Sequence, residues 1–190
     1  MENYDKASEC YNEALRRFLQ MEKIDYVGET LYNMAINCIM AQDYKSAYEY
    51  LELCFRIVKE MKMNSLRVCN IAKLVGLLAL CSHYNGNALK SAIYIEKTRL
   101  FLEHLTDKRN RKTENAIIHD YTTCKDDLFI YYFIYGLQLA TQEHYKTALK
   151  NFELAAGCME ASAGNQFYIF GQYTIEFAKL YRFCLLYTSP

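Results

Sequence analysis

One short pattern, a large residue followed three positions later by alanine, recurs along this chain. It stands at Tyr4-Asp5-Lys6-Ala7, Tyr44-Lys45-Ser46-Ala47 and Tyr145-Lys146-Thr147-Ala148, with Leu89-Lys90-Ser91-Ala92 as a degraded copy. A unit that recurs at this scale cannot bury its apolar face alone, so neighbouring units must stack on it. The pattern therefore predicts a stack of helix pairs. The single proline is Pro190, so no proline breaks a helix inside the chain.

Helices are predicted between these marks. Tyr4 to Phe18 reads as the second helix of a pair, with Tyr4, Ala7, Tyr11, Leu15 and Phe18 on one face. Val27 to Gln42 is a first helix, answered by Tyr44 to Lys62 with Tyr44, Ala47, Leu51, Phe55 and Val58 at helical spacing and Asp43 placed to cap it. Leu66 to Tyr84 and Ala88 to Leu105 form the next pair around a Gly86-Asn87 turn. Thr106 to about Asp120 has no clear pattern. Thr122 to Gln142 and Tyr145 to Ala161 make the best-kept pair, and Gln166 to Phe183 trails it.

The mark has a mechanical reason. Alanine lets two helices approach, and a large residue one turn away fills the space beside it. Gly136 and Ala35 supply small residues on the first helices at matching distances from Tyr145 and Tyr44.

On these residues the chain resembles the tetratricopeptide repeat family. Gly136, Tyr145, Ala148, Phe152 and Ala155 match its small, aromatic, small, aromatic, small series, as do Ala35, Tyr44, Ala47, Leu51 and Cys54, and the half-unit Tyr4, Ala7, Tyr11 and Ala14. The third unit departs: taken from Leu89 and Ala92, it puts Glu96 and Arg99 at an aromatic and a small position, with one extra residue after Gly86. The spacings also exceed the family's usual period of about 34. The resemblance implies an all-α, right-handed solenoid of antiparallel helix pairs over residues 1–183.

Composition excludes several classes. Lys+Arg and Asp+Glu are 22 each, so nothing global attracts nucleic acid or an anionic membrane. The apolar run Leu128 to Leu137 is too short to span a bilayer, which takes about 20 residues. The eight cysteines include no Cys-x-x-Cys pair; Cys10, Cys38, Cys54, Cys69, Cys81 and Cys158 fall in helical patterns and read as reduced, small apolar residues. His83, His104, His119 and His144 stand at no metal-binding spacing, and His119, Asp120 and Cys124 lack a third group to make a catalytic set. Lys108, Arg109, Arg111 and Lys112 read as a solvated loop between repeats. No catalytic residue, metal or cofactor is expected.

In the family, first helices line a concave groove that holds peptides or partner helices. The matching positions here are Tyr32, Ile36, Gly76, Leu80, Phe133 and Leu137, with Met40, His83, Tyr84 and Thr141 further along. None of the first six is a cation or an amide, which argues against a carboxylate clamp. The groove takes an apolar helix or peptide, or other helices bury it. The resemblance thus implies a cytoplasmic protein-protein interaction and scaffolding module, part of a larger bacterial signalling protein. The alternative is the effector-sensing arm of a transcription regulator or of a signalling ATPase or kinase; a helical enzyme comes third. Met1-Glu2-Asn3-Tyr4-Asp5 is polar and reads as no secretory signal. The bare face of the first helix predicts a missing preceding helix, or else an unusual cap. Cys184 to Pro190 resembles a translated sequencing adapter, so residues 184–190 are expected to be a non-native tail.

Overall fold

A computed structural model describes residues 2–61, 71–109, 117–160 and 167–188, with side chains described over 4–61, 71–103, 125–159, 169 and 171–184. Among the described residues there are eight helices and no strands: α1 (Glu2–Gln20), α2 (Ile24–Met40), α3 (Tyr44–Glu60), α4 (Ile71–Tyr84), α5 (Ala88–Arg109), α6 (Ile117–Thr141), α7 (Tyr145–Glu160) and α8 (Phe167–Thr188). The helices α2 and α3, α4 and α5, and α6 and α7 pack most extensively on each other. Short turns over 41–43, 85–87 and 142–144 send each second helix back along the first.

These turns share one geometry. Gln42, Gly86 and Glu143 all sit in the left-handed region, at φ 62°, 73° and 63°, as does Glu22 between α1 and α2. The following amides close the helices, Asp43 N to Cys38 O at 2.9 Å, Asn87 N to Ser82 O at 2.9 Å and His144 N to Leu139 O at 2.9 Å. This satisfies carbonyls that a helix end would otherwise leave open. Two of the turns then cap the next helix: Asp43 accepts from Ser46 N at 3.1 Å and Asn87 accepts from Lys90 N at 3.0 Å.

The turns correct the register of the third unit. Asn87 caps α5 as Asp43 caps α3, so Ala88, not Leu89, corresponds to Tyr44. Ser91, Ile95 and Thr98 then stand where Ala47, Leu51 and Cys54 stand in α3, and all six are buried. Ala92 is only half-buried and is not the counterpart of Ala47. Glu96 and Arg99 point outward and pair with each other, Arg99 also reaching Glu103. The extra residue expected after Gly86 does not exist in this alignment. In place of a small apolar contact, Ser91 Oγ donates to Ala79 O on α4 at 3.1 Å.

Each crossing brings a small residue against its partner helix. Ala35, Ala47 and Ala148 are fully buried. A Cβ built on Gly136 would lie 2.5 Å from Phe152 Cδ2 and 3.3 Å from Ala148 O. On α1, Tyr4, Ala7, Tyr11, Leu15 and Phe18 are half-buried, and the helix packs on α2. Asn37 Nδ2 ties that contact by donating to Tyr4 O at 3.1 Å and to Ser8 Oγ at 3.0 Å.

The stretch expected to lack pattern holds the end of α5 and the start of α6. The end of α5, Thr106 to Arg109, is polar and carries no apolar period, so periodicity stops before that helix does. Lys108 and Arg109 therefore lie on the α5 backbone, while Arg111, Lys112, Asn64, Ser65, Gly164 and Asn165 fall outside the described residues. The helix α8 continues past Phe183 through Cys184 to Thr188; Ser189 and Pro190 lie outside.

Candidate functional site

The first helices α2, α4 and α6 enter equivalent turns, so matching positions stand at equal distances from each turn. Tyr32, Gly76 and Phe133 lie two to three helical turns from the hairpin turns, Ile36, Leu80 and Leu137 come next, and Met40, Tyr84 and Thr141 reach the turn end. Burial follows this order. Tyr32 is 5 % exposed, Leu80 1 %, Phe133 0 % and Leu137 4 %, whereas Ile36, His83 and Tyr84 are half-buried and Met40 is 46 % exposed. Of the expected groove positions, only those near the turns meet solvent. Tyr32 and Phe133 are core residues here, and truncating them would act on the fold before it acted on any partner.

The trailing helix explains much of this closure. In a simple stack α8 would touch only the pair before it, yet it packs on α7, α6 and also α2. Tyr173 inserts its ring among Phe129 at 5.5 Å, Phe133 at 5.6 Å and Phe152 at 5.7 Å. Its hydroxyl donates to Phe152 O at 2.9 Å. Phe177 stacks on Phe152 at 5.9 Å, and Phe183 meets Tyr145 at 4.4 Å. Ile169 and Leu180 complete a buried stripe at helical spacing.

At the turn end the surroundings become polar. Tyr44 and Tyr84 stack with ring centroids 4.4 Å apart, and His83 stands edge-on to Tyr84 at 5.3 Å. From α8, Gln172 faces the Tyr44 hydroxyl without closing a hydrogen bond of normal geometry, and Glu176 contributes its negative charge near His83, Tyr44 and Tyr84. Glu176 is itself paired with Lys179 at 2.9 Å. Both tyrosine hydroxyls are buried with no hydrogen bond formed. Each such group costs about 1–3 kcal/mol relative to a satisfied one. Burial pushes Tyr44 up to about 12 and Tyr84 in the same direction, with the carboxylate of Glu176 adding to both shifts. The repeat pattern marks Tyr44 only as a structural residue, and nothing in it singles out Gln172 or Glu176, because their place depends on where α8 crosses.

His83 gives this cluster a pH signature. Burial lowers its pKa, with Glu176 opposing. In the unfolded chain the imidazole titrates near about pH 6.5. Above that value both states hold it neutral and it adds no pH dependence to stability. As pH falls below about 6.5 the unfolded chain takes up the proton first, so stability is lost. We expect the melting temperature to drop from about pH 7.5 to about pH 5.5, and to drop less in His83→Gln. Equal slopes in the two proteins would show that His83 is not buried as described.

The remaining candidate groups are scattered. Cys54 and Cys81 are buried, Cys38 and Cys158 half-buried, and burial pushes Cys38 up to about 11, Cys54 up to about 12 and Cys81 in the same direction. Cys10 is the correction: it lies exposed on α1, because its position faces away from α2. Cys69 and the side chains of His104, His119 and Cys124 lie outside the described residues. Among the described residues no three His, Cys, Asp or Glu side chains gather as a metal site, and no helix is long and apolar enough to cross a membrane. The chain matches no protein-family model, no curated protein and no solved structure.

Proposed function

We propose that this chain is a non-catalytic protein-protein interaction module, built as a right-handed solenoid of tetratricopeptide-like helix pairs and working in the cytoplasm. One observation carries the reading. Three hairpins put a left-handed residue at the same turn position and repeat the same small-large-small series on the returning helix: Ala47, Leu51, Cys54; Ser91, Ile95, Thr98; Ala148, Phe152, Ala155. Repetition at this level is the mark of a stacked scaffold that presents side chains in rows. Burial moves Tyr44 and Tyr84 upward and His83 downward, so all three rings are uncharged near pH 7, which suits an apolar partner.

The turn ends of α2 and α4 are the binding surface: Met40 is exposed and His83 and Tyr84 are half-buried, a thioether and rings suited to apolar side chains of a partner. A photo-crosslinking residue placed at Met40 should capture a discrete partner, and one at Leu53, exposed on α3, should not. Tyr84→Ala should then weaken the captured partner at least about tenfold, equivalent to about 1.4 kcal/mol. Identical products from Met40 and Leu53, or no loss with Tyr84→Ala, would remove the rim as the site.

A further inference from the structure

We infer that α8 is a detachable ligand of the protein's own inner face, and that its seat accepts from a partner an amphipathic helix bearing rings and a leucine at the spacing of Tyr173, Phe177 and Leu180. This rests on the reading of the chain as an interaction module and specifies the partner's chemistry.

The seat is visible because α8 occupies it. On one flank the fit is good: Tyr173 and Phe177 enter a box of rings from Phe129, Phe133 and Phe152, and Leu180 is buried one turn further on. Anchors at i, i+4 and i+7 are what a groove reads from a helix. On the other flank the fit is poor. Where Gln172 and Glu176 approach, the Tyr44 and Tyr84 hydroxyls are buried while their rings stay half-buried, and neither hydroxyl closes a hydrogen bond of normal geometry. Glu176 spends its charge on Lys179 of its own helix. A contact that buries donors without satisfying them holds less firmly than its ring packing alone would suggest. A competing helix that placed an acceptor over these hydroxyls would gain what α8 forgoes.

The helix is also placed to leave. It packs by one face, and the opposite face, with Gly171, Ile175, Ala178 and Tyr181, is exposed. Its departure breaks none of the hairpins α2–α3, α4–α5 or α6–α7. Elements held by one face open locally, at a cost below that of global unfolding.

Two measurements test this. In hydrogen exchange on the intact wild-type chain, amides of residues 171–183 should exchange at least about 100-fold faster than those of 129–139 and 149–155. Exchange of α8 only together with the hairpins overturns the inference. In the second, a fluorescent peptide of residues 167–184 is titrated into the full chain carrying Tyr173→Ala and Phe177→Ala. It should bind at least about tenfold more tightly than to the wild type, whose own α8 competes. A peptide with the same two substitutions should not bind. Absence of peptide binding to a variant that remains helical by circular dichroism overturns the inference. If that variant unfolds, the wild-type exchange experiment decides alone. Slow exchange of α8 alongside a partner crosslinked at Met40 would reject the detachable helix and leave the interaction reading standing. Release of α8 and peptide capture, with no partner at Met40, would reject the rim and keep the seat.

Discussion

Phe152→Ala should destabilise the protein by about 3–5 kcal/mol, the range for removing a fully buried aromatic ring. Phe152 is 1 % exposed and lies at the meeting of three helices. Phe133 of α6 meets it edge-on at 5.7 Å, while Tyr173 at 5.7 Å and Phe177 at 5.9 Å stack from α8. The backbone is committed as well, since Phe152 O accepts the Tyr173 hydroxyl. Relaxation cannot fill the resulting space, because the neighbours are rigid rings already packed on one another, and so the cavity cost adds to the transfer cost. Urea unfolding should show a lower midpoint with little change in slope. Tyr181→Ala is the control: half-exposed on the outer face of α8, it should stay within about 0.5 kcal/mol of the wild type. A loss below about 1.5 kcal/mol for Phe152→Ala would mean that the three-helix ring cluster does not form in solution.

The hairpins were legible because their apolar period is local. Tyr44, Ala47, Leu51 and Val58 announce a buried face without reference to any other part of the chain, and Asp43 announces where it begins. The third unit lies one residue out of the register its apolar residues imply, for an equally local reason. Its buried face carries Ser91 and Thr98, while Leu89, Ile93 and Leu100 face solvent. Hydrophobicity therefore pointed to the wrong side of α5, and only the turn, with Gly86 as counterpart of Gln42 and Asn87 as counterpart of Asp43, restores the alignment. Buried hydroxyls are tolerable there because Ser91 donates to Ala79 O and Thr98 to Tyr94 O at 2.8 Å. The expected groove was legible as a set of positions but not as a surface. Whether Phe133 lines a groove or a core depends on where α8 lies, and α8 is placed by ring contacts with α6 and α7 that no period within α8 encodes. The stacked tyrosines at the rim, Tyr44 and Tyr84, come from different hairpins and were invisible for the same reason.

Gly136→Ala sets two principles against each other and so tests the crossing by sign as well as size. In the interior of a helix, alanine is favoured over glycine by about 0.5–1 kcal/mol. At Gly136 the added Cβ would lie 2.5 Å and 2.6 Å from two carbons of the Phe152 ring. That ring is boxed by Phe133, Tyr173 and Phe177, so room for the methyl group is made only by parting α6 from α7 or by disturbing the seat of α8. Overpacking of this kind costs about 1–3 kcal/mol, which outweighs the propensity gain. Gly157 of α7 and Gly171 of α8 provide the contrast, since a Cβ at either meets nothing within 4 Å. Gly157→Ala and Gly171→Ala should therefore stabilise by about 0.5–1 kcal/mol while Gly136→Ala destabilises. Combining Gly136→Ala with Phe152→Leu should cost less than the two changes separately, because the smaller side chain vacates the space that the methyl group needs. If Gly136→Ala instead raised the melting temperature as the other two do, α6 and α7 would not cross at Gly136 and Phe152, and the ring box built on that crossing would lose its floor.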